Sequence, residues 1–214
     1  MKKEDKEYCI KRYSERYKQY GYSSLALGWG LNGKQNLRFL ALSEIGISPD
    51  SSVLDIGCGF GDLFKYLIDN NWKGNYLGVD LVEDLLSEAK KQNPTAKFEN
   101  TDILNDGIKN KFDFVVSSGI FNAKLINEDS YQYIERMLIR MLRISNKGVA
   151  VDFLSTYVDF EHKTNFHSDP AIIFKIAKSL SKRVAIRHDY LPFEFSLYIY
   201  KDDQVDSSNL TFLK

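Results

Sequence analysis

The chain has 214 residues, its 29 Lys+Arg balance 29 Asp+Glu, and 43% of its residues are hydrophobic and 14% aromatic. That length suits one domain with its own core, the aromatic content argues against disorder, and neutrality removes bulk steering of a polyanion. The charged, aromatic N-terminus is not a secretory signal, no apolar stretch is long enough to span a bilayer, and two cysteines, Cys9 and Cys58, make neither a disulfide framework nor a zinc site, so a cytoplasmic protein is expected.

Residues 1–48 read as an N-terminal helical and aromatic cap. Tyr13, Tyr17 and Tyr20 recur at helical spacing, and Gly28, Gly30 and Gly33 break the chain. Helical periodicity resumes over Gln35–Ile45, with Leu37, Leu40, Ala41 and Ile45 on one face. Past the Pro49-Asp50 turn, Val53, Leu54 and Ile56 form a short buried strand, and a helix follows over Asp62–Asn70. Asn75–Val79 is a second strand, Val82–Lys91 a helix stopped by Asn93-Pro94, and Ala96–Glu99 a third strand. Phe112–Ser117, the helix Ser130–Ile144 and the strand Gly148–Leu154 come next. Asp169 caps a helix that carries Pro170 at its first position and runs to about Leu180. Val184–His188 and Phe195–Lys201 lie too close together for a helical crossover, so they pair antiparallel. The alternation predicts an α/β fold, a seven-stranded mostly parallel sheet with a terminal antiparallel pair and helices on both faces. It occupies residues 49–201, with 202–214 a loosely held tail.

The segment Leu54-Asp55-Ile56-Gly57-Cys58-Gly59-Phe60-Gly61 links the first strand to its helix. Glycines here let the backbone turn sharply and approach a ligand. Their G-x-G-x-G spacing is one residue short of the dinucleotide fingerprint, which argues against a nicotinamide cofactor and hence a dehydrogenase. Asp55, Asp80, Asp102 and Ser117-Ser118-Gly119 all fall at the carboxyl ends of successive strands, where open α/β sheets place their ligands. Asp55 either meets a ligand directly or braces the loop by accepting backbone N–H bonds.

With these residues in these places, the chain resembles the class I S-adenosylmethionine-dependent methyltransferases over about Ser52 to Lys201. The resemblance implies a Rossmann-like fold, S-adenosyl-L-methionine as cofactor, and a roster of contacts. Gly57, Cys58, Gly59 and Gly61 pass beneath the methionine part, with Asp55 beside them. Asp80 and its neighbour Leu81 hold the ribose, Asp102 and Ile103 flank the adenine, and Ser117, Ser118 and Gly119 lie near the transferring methyl. Trp29-Gly30 and Arg38-Phe39, together with SSGIFN at 117–122 and DYLPFEF at 189–195, are also similar to a bacterial methyltransferase group, which implies no particular substrate. The chain departs from the family's nucleic-acid amino methylases: neither an aspartate-proline-proline-aromatic run nor its asparagine variant follows the fourth strand.

Outside that core, glycine-bracketed Trp29 either folds over the ligand or packs the cap onto the sheet. Arg38 pairs with the cofactor carboxylate or sits in solvent. His162 and His167, bracketing a loop beyond the fifth strand, are the candidate general bases, with solvated loop histidines as the plain alternative. Two histidines five apart, with no third ligand, do not make a metal site. His188 reads as structural. The N-terminal tyrosines pack the cap or form a substrate lid, and the basic run Lys175, Lys178, Lys182, Arg183 and Arg187 is a solvated face or an anion-binding surface. The leading expectation is methyl transfer to an O or N atom of a small-molecule acceptor, by a monomer or homodimer acting on neither membrane nor nucleic acid. An RNA or protein methyltransferase would need an open groove and a continuous basic surface, and a nonenzymatic cofactor-binding protein a blocked acceptor cavity.

Overall fold

Alternation of apolar residues sets the faces of every central strand in the computed structural model, which describes residues 1–29 and 34–203. On β1 (Val53–Ile56), Leu54 and Ile56 face one way and Val53 the other; β4 (Phe112–Ser117) divides Val115 from Phe114 and Val116 in the same manner. Between them in sequence come α3 (Asp62–Asp69), β2 (Tyr76–Asp80), α4 (Glu83–Gln92) and β3 (Lys97–Asn100). After β4 follow α5 (Ser130–Ile144), β5 (Ser145–Leu154), α6 (Pro170–Leu180), β6 (Val184–Leu191) and β7 (Glu194–Tyr200). Two helices precede the sheet, α1 (Lys3–Tyr20) and α2 (Gln35–Ser43).

The seven strands lie in the order β3-β2-β1-β4-β5-β7-β6. β3 through β5 are parallel, and β7 inserts antiparallel between β5 and β6. β7 alone therefore runs against the rest, and its first residue, Glu194, pairs with Leu154 at the carboxyl end of β5. α5 and α6 bury Ile134, Leu138, Met141 and Ile173 against one face, and α2, α3 and α4 bury Leu42, Leu63 and Leu86 against the other. Asp169 caps α6 by accepting the Ala171 N–H at 2.7 Å, with Pro170 at the first turn.

Residues 1–48 divide between two jobs. α2 packs on the sheet, whereas α1 lies across its carboxyl end. The buried side of α2 is Arg38, Phe39, Ala41 and Leu42, not the expected Leu37 and Leu40, which are exposed. The Phe39 ring packs at 5.7 Å from Tyr66, and Arg38 is drawn inward by a carboxylate 156 residues away. Among the described residues, no helix is long and apolar enough to cross a membrane. Gly30, Gly33 and the tail expected to be loosely held at 204–214 lie outside the described residues.

Candidate active site

Parallel strands leave their carboxyl ends on one edge, and the switch in strand order between β1 and β4 opens a crevice there. A cavity of about 430 Å³ occupies it. Its floor is the glycine loop. Gly57 has φ 71°, and a Cβ there would land inside contact distance of Ile120 Cγ2, so only glycine fits. Gly61, at φ 76° as the N-cap of α3, would collide with Phe98, so its absent side chain serves packing rather than ligand approach.

Asp102, Asp80, Asp55, Ser118 and Glu194 bring polar groups to the lining from β3, β2, β1, β4 and β7, and β5 contributes Leu154. Asp102 is buried, accepts from Lys6 Nζ and Asn105 Nδ2 at 2.9 and 2.8 Å, and lies beside buried Ile103. Burial raises its pKa, but the bonds and charge of Lys6 and the Leu104 N–H outweigh that and hold it below the ordinary value. Asp80 accepts the N–H of Gly59 and of Val82, each at 2.9 Å. Asp55, also buried, accepts the Tyr76 hydroxyl at 2.7 Å and no loop N–H; desolvation pushes it up to about 7, although the Tyr76 bond opposes the rise. Ser118 donates to Asp152 at 2.5 Å, and Gly119 N–H donates to the other oxygen at 2.7 Å.

At the β7 end, Arg38 forms a two-pronged ion pair with Glu194, and its guanidinium lies 4.2 Å from the Trp29 ring centroid. Arg38 Nη1 is buried without a partner. Trp29 in turn rests on Gly119, where a Cβ would come within 2.5 Å of the indole. The roof is α1, whose Cys9, Ile10, Arg12 and Tyr13 face the cavity. Polar bonds hold it down: Lys6 to Asp102, Tyr17 to Glu88 at 2.8 Å, and Asp5 accepting the Ile126 and Asn127 N–H groups.

The expected residues Trp29, Arg38, Asp55, Gly57, Cys58, Gly59, Asp80, Leu81, Asp102, Ile103, Ser118 and Gly119 all border this one cavity. Gly61 and Ser117 do not; Ser117 is buried and its hydroxyl is spent on the Ile56 carbonyl. Neither His162 nor His167 lines the cavity either. His162 is exposed and turned toward Thr164, while His167 Nδ1 meets the Ser155 carbonyl at 2.9 Å. His188 lies between Tyr157, whose ring is tilted to it, and Phe195, which it meets edge-on. The sequence reading missed Asn122, Asn165, Asp152 and Glu194. An acid in the middle of the apolar run Val149–Phe153, and another between Phe193 and Phe195, were the available signals.

The model of a methyltransferase domain matches residues 53–148. A relative from Mycobacterium tuberculosis, "Putative methyltransferase Rv1506c", is 31% identical over 159 residues, covering 70% of this chain and 93% of the relative. The fold is shared with magnesium protoporphyrin IX methyltransferase from Synechocystis PCC 6803 in its S-adenosylhomocysteine complex, at a TM-score of 0.65 and 15% identity over 91% of this chain and 94% of that one. The plantazolicin methyltransferase BpumL superposes at a TM-score of 0.64 and 15% identity, over 94% of this chain and 100% of its own. A glycine-floored cavity at the β1/β4 switch, a methyltransferase-domain match on the strands that build it and a 31% identical relative matched over 70% of this chain lead to one assignment: the chain belongs to the class I S-adenosylmethionine-dependent methyltransferases, enzymes whose cofactor is S-adenosyl-L-methionine.

Proposed function

We propose that this enzyme methylates an O or N atom of a small molecule held beneath α1 in the same cavity as the cofactor. The observation that carries the reading is the roof. α1 lies over a cavity of about 430 Å³, a size that suits compact ligands. Three of the five cations in the basic run that an RNA substrate would need are paired with acids: Lys182 with Asp203, Arg183 with Asp202, and Arg187 with Asp189 and Glu44.

The residues present fit the cofactor. The glycine floor leaves room where side chains would intrude, and the unpartnered Arg38 Nη1 suits the methionine carboxylate. In this reading Asp80 receives the ribose hydroxyls with the lone pairs its two backbone bonds leave free, and Asp102 and Ile103 flank the adenine. Trp29 covers the methionine end from above. Bound sulfonium supplies an activated methyl group, so the chain's task is to align donor and acceptor and to exclude water. The acceptor end is walled by Asn122, Leu154, Asn165 and Glu194.

A structure with S-adenosylhomocysteine tests this directly. An enclosed space beyond its sulfur, bounded by Asn122, Leu154 and Glu194, is expected; an opening to solvent wide enough for a nucleotide or peptide strand would overturn the small-molecule assignment.

A further inference from the structure

Resting on that reading, we propose that Ser118 and Asp152 form a proton-accepting pair for a hydroxyl acceptor, which makes the enzyme an O-methyltransferase. Strand order sets the stage: the ribose carboxylate ends β2, the glycine loop follows β1, and Ser118 follows β4, one strand further toward the acceptor wall. Ser118 borders the cavity, and its hydroxyl points away from the cavity wall into Asp152 on β5. Asp152 is 1% exposed, does not itself border the cavity, and accepts from two neutral donors, the Ser118 hydroxyl and the Gly119 N–H.

A carboxyl sunk in a central strand without a directly bonded cation costs stability, and an amide of the same shape would satisfy both neighbours more cheaply. Its charged surroundings are mixed. Glu194 on β7 and Asp55 on β1 oppose ionisation, Arg38 on α2 favours it, and the neutral Tyr190 of β6 and Ser196 of β7 complete the shell. Burial, with Glu194 adding to it, pushes Asp152 up to about 7, where it exchanges a proton under ordinary conditions.

The step balances. The acceptor O–H gives its proton to Ser118 Oγ as the Ser118 proton passes to Asp152 Oδ2. The acceptor oxygen bonds the methyl carbon, the carbon–sulfur bond breaks, and its electron pair stays on sulfur. One positive and one negative charge are lost together, from sulfonium and carboxylate, so the buried site ends neutral. An amine acceptor already in its free-base form needs no such relay.

The charge match gives a test that does not depend on turnover. Asp152 is followed by isotope-edited infrared titration, assigned with Asp152→Asn, in complexes with neutral S-adenosylhomocysteine and with the non-transferring cationic analogue sinefungin. A half-ionisation point at least one pH unit lower, that is at a tenfold higher proton concentration, is expected with sinefungin. The same point in both complexes would overturn the pair's role. Failure of both ligands to bind in calorimetry would instead strike the cofactor site. With catechol, benzyl alcohol and benzylamine as probes, S-adenosylhomocysteine release is expected from hydroxyl compounds, rising with pH through about 7. Asp152→Asn lowers that kcat about 100-fold and removes the limb, while Ser118→Thr retains both. Transfer to benzylamine alone, or an unchanged pH profile in Asp152→Asn, would refute the proposal.

Discussion

Asp80 Oδ2 accepts the backbone N–H of Gly59 at 2.9 Å, so the acid at the end of β2 is bonded to the middle of the glycine loop. The bond makes this carboxylate a brace for the loop as well as the proposed ribose ligand. Asp80→Ala is therefore expected to lower S-adenosylhomocysteine affinity by roughly 10- to 100-fold, the worth of one or two charge-assisted bonds. Asp80→Asn, which keeps one acceptor oxygen, falls between. Calorimetry checks both, with circular dichroism confirming the fold; unaltered affinity in Asp80→Ala refutes the ribose assignment.

The Arg38–Glu194 pair is largely buried, at 7% and 13% side-chain exposure. Removing one partner leaves an uncompensated charge, so Glu194→Ala is expected to cost about 3–5 kcal/mol in urea unfolding. Arg38→Met with Glu194→Leu removes both charges and should recover most of that loss. Arg38→Met alone should also weaken cofactor binding, because the anion-seeking Nη1 goes with it. A double variant as unstable as Glu194→Ala would count against the charge explanation.

Asp55 and Asp152 both stand at about 7, against 3.8 for an ordinary aspartate. Folded chains thus hold protons that unfolded chains have released, and stability falls as pH rises from about 4 to about 7 before levelling. The slope reaches about 1.4 kcal/mol per pH unit for each carboxyl. Asp102, held low chiefly by Lys6 against its burial, acts oppositely but only below its ordinary 3.8. Urea midpoints across this range in the ligand-free protein test the prediction, and Asp152→Asn should make the decline shallower.

His162 is exposed and outside the cavity lining. His162→Ala is expected to leave S-adenosylhomocysteine affinity and the pH profile of methyl transfer unchanged. A lost basic limb would restore the histidine to the mechanism.

What the sequence disclosed and what it hid follow from the range of the interactions. Gly57, Gly59, Asp80 and Asp102 sit at strand ends, and their positions depend on local spacing, so the carboxyl edge of the sheet was readable. The pairings of Asp152 with Ser118 and Glu194 with Arg38 join residues 34 and 156 apart, and no periodicity records them. The turn of α2 was misread for the same reason. Leu37 and Leu40 look like a core face in isolation, but an ion pair and the Phe39 ring turned the helix to bury Arg38. Histidine chemistry suggested a base beyond β5, whereas that loop carries His162 away from the cavity.

Insertion of β7 between β5 and β6 has a consequence for chain synthesis. Until Tyr200 has left the ribosome, β5 presents an unpaired edge and Arg38 has no carboxylate partner, so the nascent chain carries a bare strand and a naked cation. The Glu194 side of the cavity is supplied by the last strand of the sheet to be made. Nascent chains halted before Glu194 should therefore be held by chaperones and cut readily by protease, and ligand protection should arrive late, once β7 is in place.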